Sequence, residues 1–185
     1  MRLLIMGPPG AGKGTQAAVI SQVLAIPHIS TGDLFRANLS QSTPLGLEAK
    51  KYMDAGEYVP DSVTNDMVRE RLSQADAQSG FLLDGYPRTV AQVEELDAML
   101  GESQLDKVLV LTADTNEVVA RLLGRAEEQG RADDTEEVIR RRLEVYEEQT
   151  APLIDLYSSR GVLVTVDGLG SVDEVSQRIL AVLNA

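Results

Sequence analysis

Cysteine is missing from all 185 residues. Its absence excludes disulfides, cysteine-ligated zinc and thiol catalysis, and it fits a reducing compartment. Tryptophan is missing too, and aromatics make up only 4% of the chain. A bound base must therefore stack largely on arginine planes and aliphatic side chains. Positive charge is scarce: 17 lysines and arginines face 29 acidic residues, for a net charge of −12. A nonspecific nucleic-acid binder needs the reverse balance or a dense basic patch, so no nucleic-acid partner is expected. Against such a negative background the few arginines become informative about anionic ligands. No apolar run approaches transmembrane length and no signal peptide precedes the first apolar stretch. The expectation is a cytoplasmic protein with no membrane partner. The one histidine, His28, leads into a short apolar stretch, where a structural or exposed role is expected over catalysis. What remains is 43% hydrophobic, enough for one α/β domain with a full core.

Glycine is concentrated at one place, the stretch Gly7-Pro8-Pro9-Gly10-Ala11-Gly12-Lys13-Gly14-Thr15. It follows the apolar run Leu3-Leu4-Ile5-Met6 and opens into Gln16-Ala17-Ala18-Val19-Ile20, which reads as a helix. A strand, a glycine-rich turn and a helix N-terminus together make an anion site. Backbone N–H groups converge on phosphate oxygens and the helix dipole adds favourable potential. Side chains would block that approach, and several positions require positive φ. Lys13 supplies a mobile positive charge for the outer phosphates of a nucleoside triphosphate. The strict pattern has Ser or Thr directly after the lysine. Here Gly14 intervenes, and Thr15 follows as the candidate hydroxyl on the Mg²⁺ side.

Apolar runs and helical patterns alternate along the chain. Strands are expected at 2–6, 27–30, 81–84, 107–111 and 162–166, and helices at 15–24, 91–100, 116–123 and 172–183. Continuous apolar strands separated by helices indicate a parallel sheet covered on both faces. Such sheets bind ligands at the carboxyl ends of their strands. The phosphate loop, Ser30-Thr31 and Asp84-Gly85 all fall at such ends. Residues 31–59 read as a polar helical insert, capped at Thr31-Gly32-Asp33. Its thin apolar stripe of Leu34, Leu39, Leu45, Leu47 and Ala49 is too small for a core of its own. Pro60-Asp61 starts the next helix, and 126–130 reads as a short polar loop between two helices. No linker separates domains.

Asp84 ends an apolar strand, where a P-loop protein places a carboxylate beside the metal; a helix cap is the alternative. Arg88, in Gly85-Tyr86-Pro87-Arg88, is expected near the phosphates, and the Tyr86–Pro87 turn is open to a cis bond. A helix from Asp134 carries an Asp134-x-x-Glu137 capping box and three consecutive arginines. Arg140 and Arg141 have Glu136 and Glu137 four residues earlier, the order that favours surface ion pairs. Arg142 instead has Val138 at i−4 and Tyr146 at i+4, which puts it on the inward face and makes it a ligand candidate. Arg121 and Arg125 repel at i,i+4 unless a polyphosphate lies between them; the alternative is separate pairing with Glu117 and Glu128. Arg131 and Arg36 complete the set.

No general base is evident near the loop. A hydroxyl acceptor benefits from a carboxylate that takes its proton, whereas a phosphate acceptor is already ionised. It needs cations that hold two anions in line and neutralise the moving group. Lys13, Arg36, Arg88, Arg121, Arg125, Arg131 and Arg142 suit that task.

With these segments together the chain closely resembles adenylate kinase over nearly its whole length. The carrying segments are GPPGAGKGTQ at 7–16, STGDLFR at 30–36, DGYPR at 84–88 with Gln92, GRADD at 130–134, Arg142, and TAPL at 150–153. The resemblance implies a P-loop NTPase-type three-layer α/β fold, a five-stranded parallel sheet with helices on both faces. The core would be 1–29, 60–125 and 132–185, with a monophosphate-binding insert at 30–59 and a short lid at 126–131. It implies ATP phosphates held by Gly10, Ala11, Gly12, Lys13, Gly14 and Thr15, ATP contacts from Arg121 and Arg125, and adenine against Gly170. AMP would be held by Thr31, Arg36, Glu57, Tyr58, Val59, Gly85, Tyr86, Pro87, Arg88 and Gln92, with Arg131 and Arg142 touching phosphates of both nucleotides. Lys13, Arg36, Arg88, Arg131, Arg142 and Asp84 would carry the chemistry, Asp84 positioning Mg²⁺ through water. The implied reaction is ATP + AMP ⇌ 2 ADP in a monomer without zinc. Gln129 stands where short-lid relatives often have arginine, and Arg125 is its substitute. The nearest rival is a pyrimidine (UMP/CMP) monophosphate kinase, whose members tend to have Ala at the position of Thr31. A P-loop switch module, the rival from another class, has no need of the acceptor segments.

Overall fold

The computed structural model describes residues 1–129 and 135–184. Its centre is β1 (Arg2–Met6), flanked by β3 (Phe81–Asp84) and β4 (Lys107–Thr112), with β2 (His28–Ser30) and β5 (Leu163–Asp167) outermost. All four pairings are parallel, and the register sets Ile5 beside Asp84 and Ser30 beside Asp84. Three successive strands therefore bring their carboxyl ends to one place.

Alternation along β1 divides the core. Leu3 and Ile5 join Leu82, Leu109 and Leu111 beneath α1 (Lys13–Leu24) and α9 (Val172–Leu183), through Ala17, Ile20, Val175 and Ile179. Leu4 and Met6 face the other way. They join Leu83, Val108 and Val110 against α4 (Asp61–Leu72), α5 (Val90–Leu100) and α8 (Pro152–Ser159), through Val68, Val93, Leu96, Leu153 and Tyr157. With both faces covered, the middles of β1, β3 and β4 are apolar at successive positions, which is why these runs read as continuous rather than alternating. The chain leaves β1 for one face and the adjacent β3 for the other. The two connections part above the sheet edge and open a crevice there.

The insert differs from the sequence expectation. Its helices α2 (Thr31–Ser40) and α3 (Pro44–Ala55) fold into a hairpin with a small core of their own. Phe35, Ala49 and Val59 are buried, packed by Leu45, Tyr52 and Met53 and by Val63 and Met67 of α4. The hairpin closes because Gly46 lets the helices touch: a Cβ there would lie 2.4 Å from the Asn38 carbonyl carbon. Leu47, read as part of the stripe, is instead 51% exposed. The cap is Ser30, whose hydroxyl accepts from the Asp33 N–H at 3.2 Å, not the Thr31 triplet.

Helix α6 (Thr115–Gln129) outruns its expected end, so the loop read at 126–130 is helical through 129. α7 (Glu136–Val145) packs on it through Val118, Leu122 and Ile139. Its cap is Thr135, which accepts from the Val138 N–H; Asp134, expected in that role, lies outside the described residues. A π-helical turn, Tyr146–Thr150, joins α7 to α8, with the Ala151 N–H donating to the Tyr146 carbonyl at 2.9 Å. Among the described residues no helix is long and apolar enough to cross a membrane.

Candidate active site

The loop between β1 and α1 is built on positive φ at Gly7 (143°), Gly10 (86°) and Gly12 (90°). Any Cβ at Gly10 would meet the Val118 carbonyl oxygen at 2.9 Å, whereas one at Gly12 meets nothing within 4 Å. Gly12 caps α1 in the left-handed conformation, so the first N–H groups of that helix, from Lys13 to Thr15, open onto the crevice. This is the anion cradle expected of a helix N-terminus. Lys13 Nζ donates to the carbonyls of Gly7 (2.8 Å) and Pro8 (2.9 Å), lying along the loop. The loop after β5 comes close: a Cβ on Gly168 would be 3.2 Å from the Ala11 carbonyl oxygen. Gly170 follows at φ 115°. Arg121 donates to the Gly168 carbonyl (3.4 Å) and pairs with Glu117, the alternative read from the sequence.

Asp84 is 8% exposed at the end of β3, and its Oδ2 lies 3.7 Å from where a Gly14 side chain would begin. The carboxylate thus stands beside the loop helix, not at the cap of α5, which is Thr89. His28 Nε2 lies 3.3 Å from the same Oδ2, a partnership across 56 residues that no local pattern signals. Among the described residues no group of three potential metal ligands occurs. One carboxylate near a phosphate cradle nonetheless fits Mg²⁺, which keeps most of its waters and binds through one or two carboxylates plus phosphate oxygens.

Beyond Asp84 a cleft of about 1020 Å³, open solvent included, runs from Lys13 into the insert. Its floor is Gly85, whose positive φ (81°) lets Thr31 and Arg88 converge. Thr31 Oγ1 and Arg88 Nε both donate to the Gly85 carbonyl, at 2.9 and 2.7 Å, and a Cβ there would strike both side chains. The Tyr86–Pro87 peptide is cis. Tyr86 donates to Asn65 Oδ1 at 2.7 Å, and burial pushes its phenol well above the usual range.

Arg36, Glu57, Tyr58 and Val59 line the insert side of the cleft, and Gln92 and Arg142 also line it. Arg36 pairs with Asp33 at 2.6 Å. Partial burial works against the Asp33 charge, but the hydrogen bond and charge of Arg36 prevail and hold its carboxyl below the usual range. Glu57 accepts from Arg141 Nε at 2.6 Å. Arg141, expected to be solvated beside Glu137, instead ties α7 to the insert and also pairs with Glu144. The Arg140–Glu136 pair is as expected.

The Arg88 guanidinium carbon lies 5.0 Å above the Tyr58 ring centroid. Tyr58 Oη is 2.7 Å from Thr150 Oγ1, and Thr150 Oγ1 is 2.8 Å from the Arg88 carbonyl oxygen. The Thr150 proton goes to that carbonyl, so Tyr58 is the donor to Thr150. Thr150 lies in the TAPL segment, but nothing local in that segment assigns it these contacts. Arg125 is on α6, but its side chain is not among those described, and Arg131 lies outside the described residues.

A parallel sheet with its phosphate loop at the crevice edge is the fold of the P-loop nucleotide-binding enzymes. The arginine-lined cleft beside the loop marks the phosphotransferases among them, which bring two anions together. A sequence model described as adenylate kinase matches residues 5–162. The chain is 66% identical to an adenylate kinase of Kocuria rhizophila, over 98% of each chain. It is 64% identical to one from a Nocardioides species, over 100% of this chain and 97% of the relative, and 58% identical to one from Nocardia farcinica, over 99% of each. The chain belongs to the adenylate kinase family of phosphotransferases.

Proposed function

We propose that the chain catalyses ATP + AMP ⇌ 2 ADP by direct in-line transfer. The observation that carries this reading is a single cleft lined by Lys13 of the phosphate loop together with Arg36, Arg88 and Arg142. Four cations on one cleft in a chain of net charge −12 are arranged for two facing polyanions. ATP phosphates sit in the loop of Gly10, Ala11, Gly12, Lys13, Gly14 and Thr15, where the Ala11 N–H closes the turn on the Pro8 carbonyl. Arg121 and Arg125 flank them, and adenine lies against Gly170. AMP occupies the pocket of Thr31, Glu57, Tyr58, Val59, Gly85, Tyr86, Pro87 and Gln92, its phosphate on Arg36 and Arg88. Arg131 and Arg142 bridge both nucleotides.

An AMP phosphate oxygen attacks the γ-phosphorus, the bond from that phosphorus to the β,γ-bridging oxygen breaks, and the leaving ADP keeps that oxygen. No side chain need accept a proton, because the nucleophile is already an anion. Lys13, Arg88 and Arg142 hold the two anions in line and balance charge as it moves to the bridging oxygen. Asp84 would hold Mg²⁺ through water, with the Thr15 hydroxyl nearby, and the ion would supply charge neutralisation on the triphosphate. Residues 30–59 act as the monophosphate-binding insert and 126–131 as a short lid on a core of 1–29, 60–125 and 132–185. Exclusion of water by these parts prevents hydrolysis. The enzyme is proposed to act as a cytoplasmic monomer. Steady-state rates with AMP, UMP and CMP test the acceptor, and Thr31 in the pocket favours AMP. A preference for either pyrimidine nucleotide would overturn this assignment.

A further inference from the structure

Gln92 lines the acceptor cleft although only 2% of it is exposed. Its Oε1 accepts from the Arg88 backbone N–H at 2.7 Å, and its Nε2 donates to Asp61 Oδ1 at 2.7 Å. The other Asp61 oxygen accepts from the Thr89 hydroxyl at 3.1 Å. Thr89 Oγ1 in turn accepts from the Gln92 backbone N–H at 3.2 Å, so the partners of the side chain are anchored to its own helix. A carboxylate only accepts and a backbone N–H only donates. The amide therefore has one permitted orientation. Flipped, it would set its oxygen against the Asp61 carboxylate and its NH₂ against the Arg88 N–H.

We propose that Asp61 is a positioning residue for base selection at the monophosphate site, because together with the Arg88 backbone N–H it fixes the Gln92 amide and so dictates the hydrogen-bond pattern a base must present. The inference rests on the reading of this cleft as the AMP pocket and deepens it. The two bonds consume one of two amide N–H groups and one of two oxygen lone pairs. One donor and one acceptor remain, side by side, for the base edge. Adenine offers an acceptor, N1, beside a donor, its 6-amino group. Hypoxanthine inverts the pair, with N1–H beside O6. An unrestrained glutamine answers either base by a half-turn of its amide. Gln92, held from two sides, answers one. Rejection arises because the wrong base leaves buried polar groups facing their own kind.

Asp61 also opens α4, directly after its cap Pro60, where an acidic residue is favourable to the helix dipole. A purely structural role would lower stability and both activities alike, so the test reads discrimination. kcat/KM is measured for AMP and for inosine monophosphate, with saturating ATP and Mg²⁺, in the full chain and in Asp61→Asn, alongside Tm. The asparagine introduced by that substitution can turn its own amide to receive a flipped Gln92, which is then opposed only at the Arg88 N–H and not at both ends. The AMP-to-inosine-monophosphate ratio is expected to fall about tenfold or more, about 1.4 kcal/mol of lost discrimination, carried by the KM of the monophosphates. Asp61→Ser, whose hydroxyl both donates and accepts, gives the same reading should Asp61→Asn not fold. A ratio that stays at the wild-type value overturns the inference, whether both activities drop together with Tm or neither moves. A wild-type chain that phosphorylates neither monophosphate overturns the acceptor reading itself, and is seen before any variant is compared.

Discussion

Replacing Thr150 with valine removes one hydroxyl and keeps the shape of the side chain. That hydroxyl joins three segments: the insert through Tyr58, the strand-end loop through the Arg88 carbonyl, and the π-helical turn that carries it. Thr150 is 5% exposed, so water does not readily replace what is lost. An orphaned buried carbonyl costs about 1–3 kcal/mol, while Tyr58, at the cleft, finds solvent for its phenol. A loss of about 2 kcal/mol is expected, which for a chain of this size lowers Tm by about 4–8 °C. The second effect falls on Arg88, because the Tyr58 ring beneath its guanidinium is held by the same hydroxyl. If half the lost energy comes from positioning that cation, kcat drops about fivefold, with the KM for ATP little changed. Differential scanning fluorimetry and a coupled ADP assay read the two effects. Thr150→Ser, which keeps the hydroxyl, should restore both. A valine variant with wild-type Tm and kcat, or a serine variant no better than valine, would refute the reasoning.

Three other outcomes are expected. Arg88→Ala should cut kcat by about a hundredfold or more while ATP binding changes little, since the contact tightens on the moving group; equal losses in both would contradict it. Tyr157→Phe should hold or raise Tm, because the fully buried Tyr157 Oη finds no hydrogen-bond partner among the described residues, and an unsatisfied hydroxyl costs about 1–3 kcal/mol; a clear fall in Tm would show that the hydroxyl is satisfied after all. The Asp33 carboxyl lies below its usual range beside Arg36, so the pair stabilises the fold above the unfolded carboxyl value of about 3.9 and that contribution is lost as pH falls through the lower folded value. AMP that recruits Arg36 should therefore move the Asp33 value back up, and a carboxyl-detected NMR titration that found it unmoved would count against Arg36 as a phosphate ligand.

The parts legible in the sequence are those whose causes are local. β1 and β3 announce themselves because both of their faces are buried, and the phosphate loop because glycine alone tolerates its φ angles and its contact with Val118. Helical periodicity sets Arg142 on the inward face, and it lines the cleft. The misses are long-range. Arg141 has Glu137 four residues away but pairs with Glu57, 84 positions distant, because α7 packs beside the insert. The His28–Asp84 and Asp61–Gln92 contacts likewise exist only once the sheet and helices are assembled. The core of the insert is not legible locally because it forms only when Phe35 meets Ala49 and Val59 and when two helices touch at Gly46. α6 runs past its expected end because Ala126-Glu127-Glu128-Gln129, though polar, is made of residues that favour helix.

The central claim is that two nucleotides face each other in one cleft, so that an ionised phosphate takes a phosphoryl group directly. A single-turnover experiment with ATP labelled in its γ-phosphate, AMP and Mg²⁺ tests it most directly. The label should appear, one for one, in the β-position of the ADP formed from AMP, with none released as inorganic phosphate and none on the protein. Label recovered as inorganic phosphate, or held covalently by the chain before reaching AMP, would contradict the account.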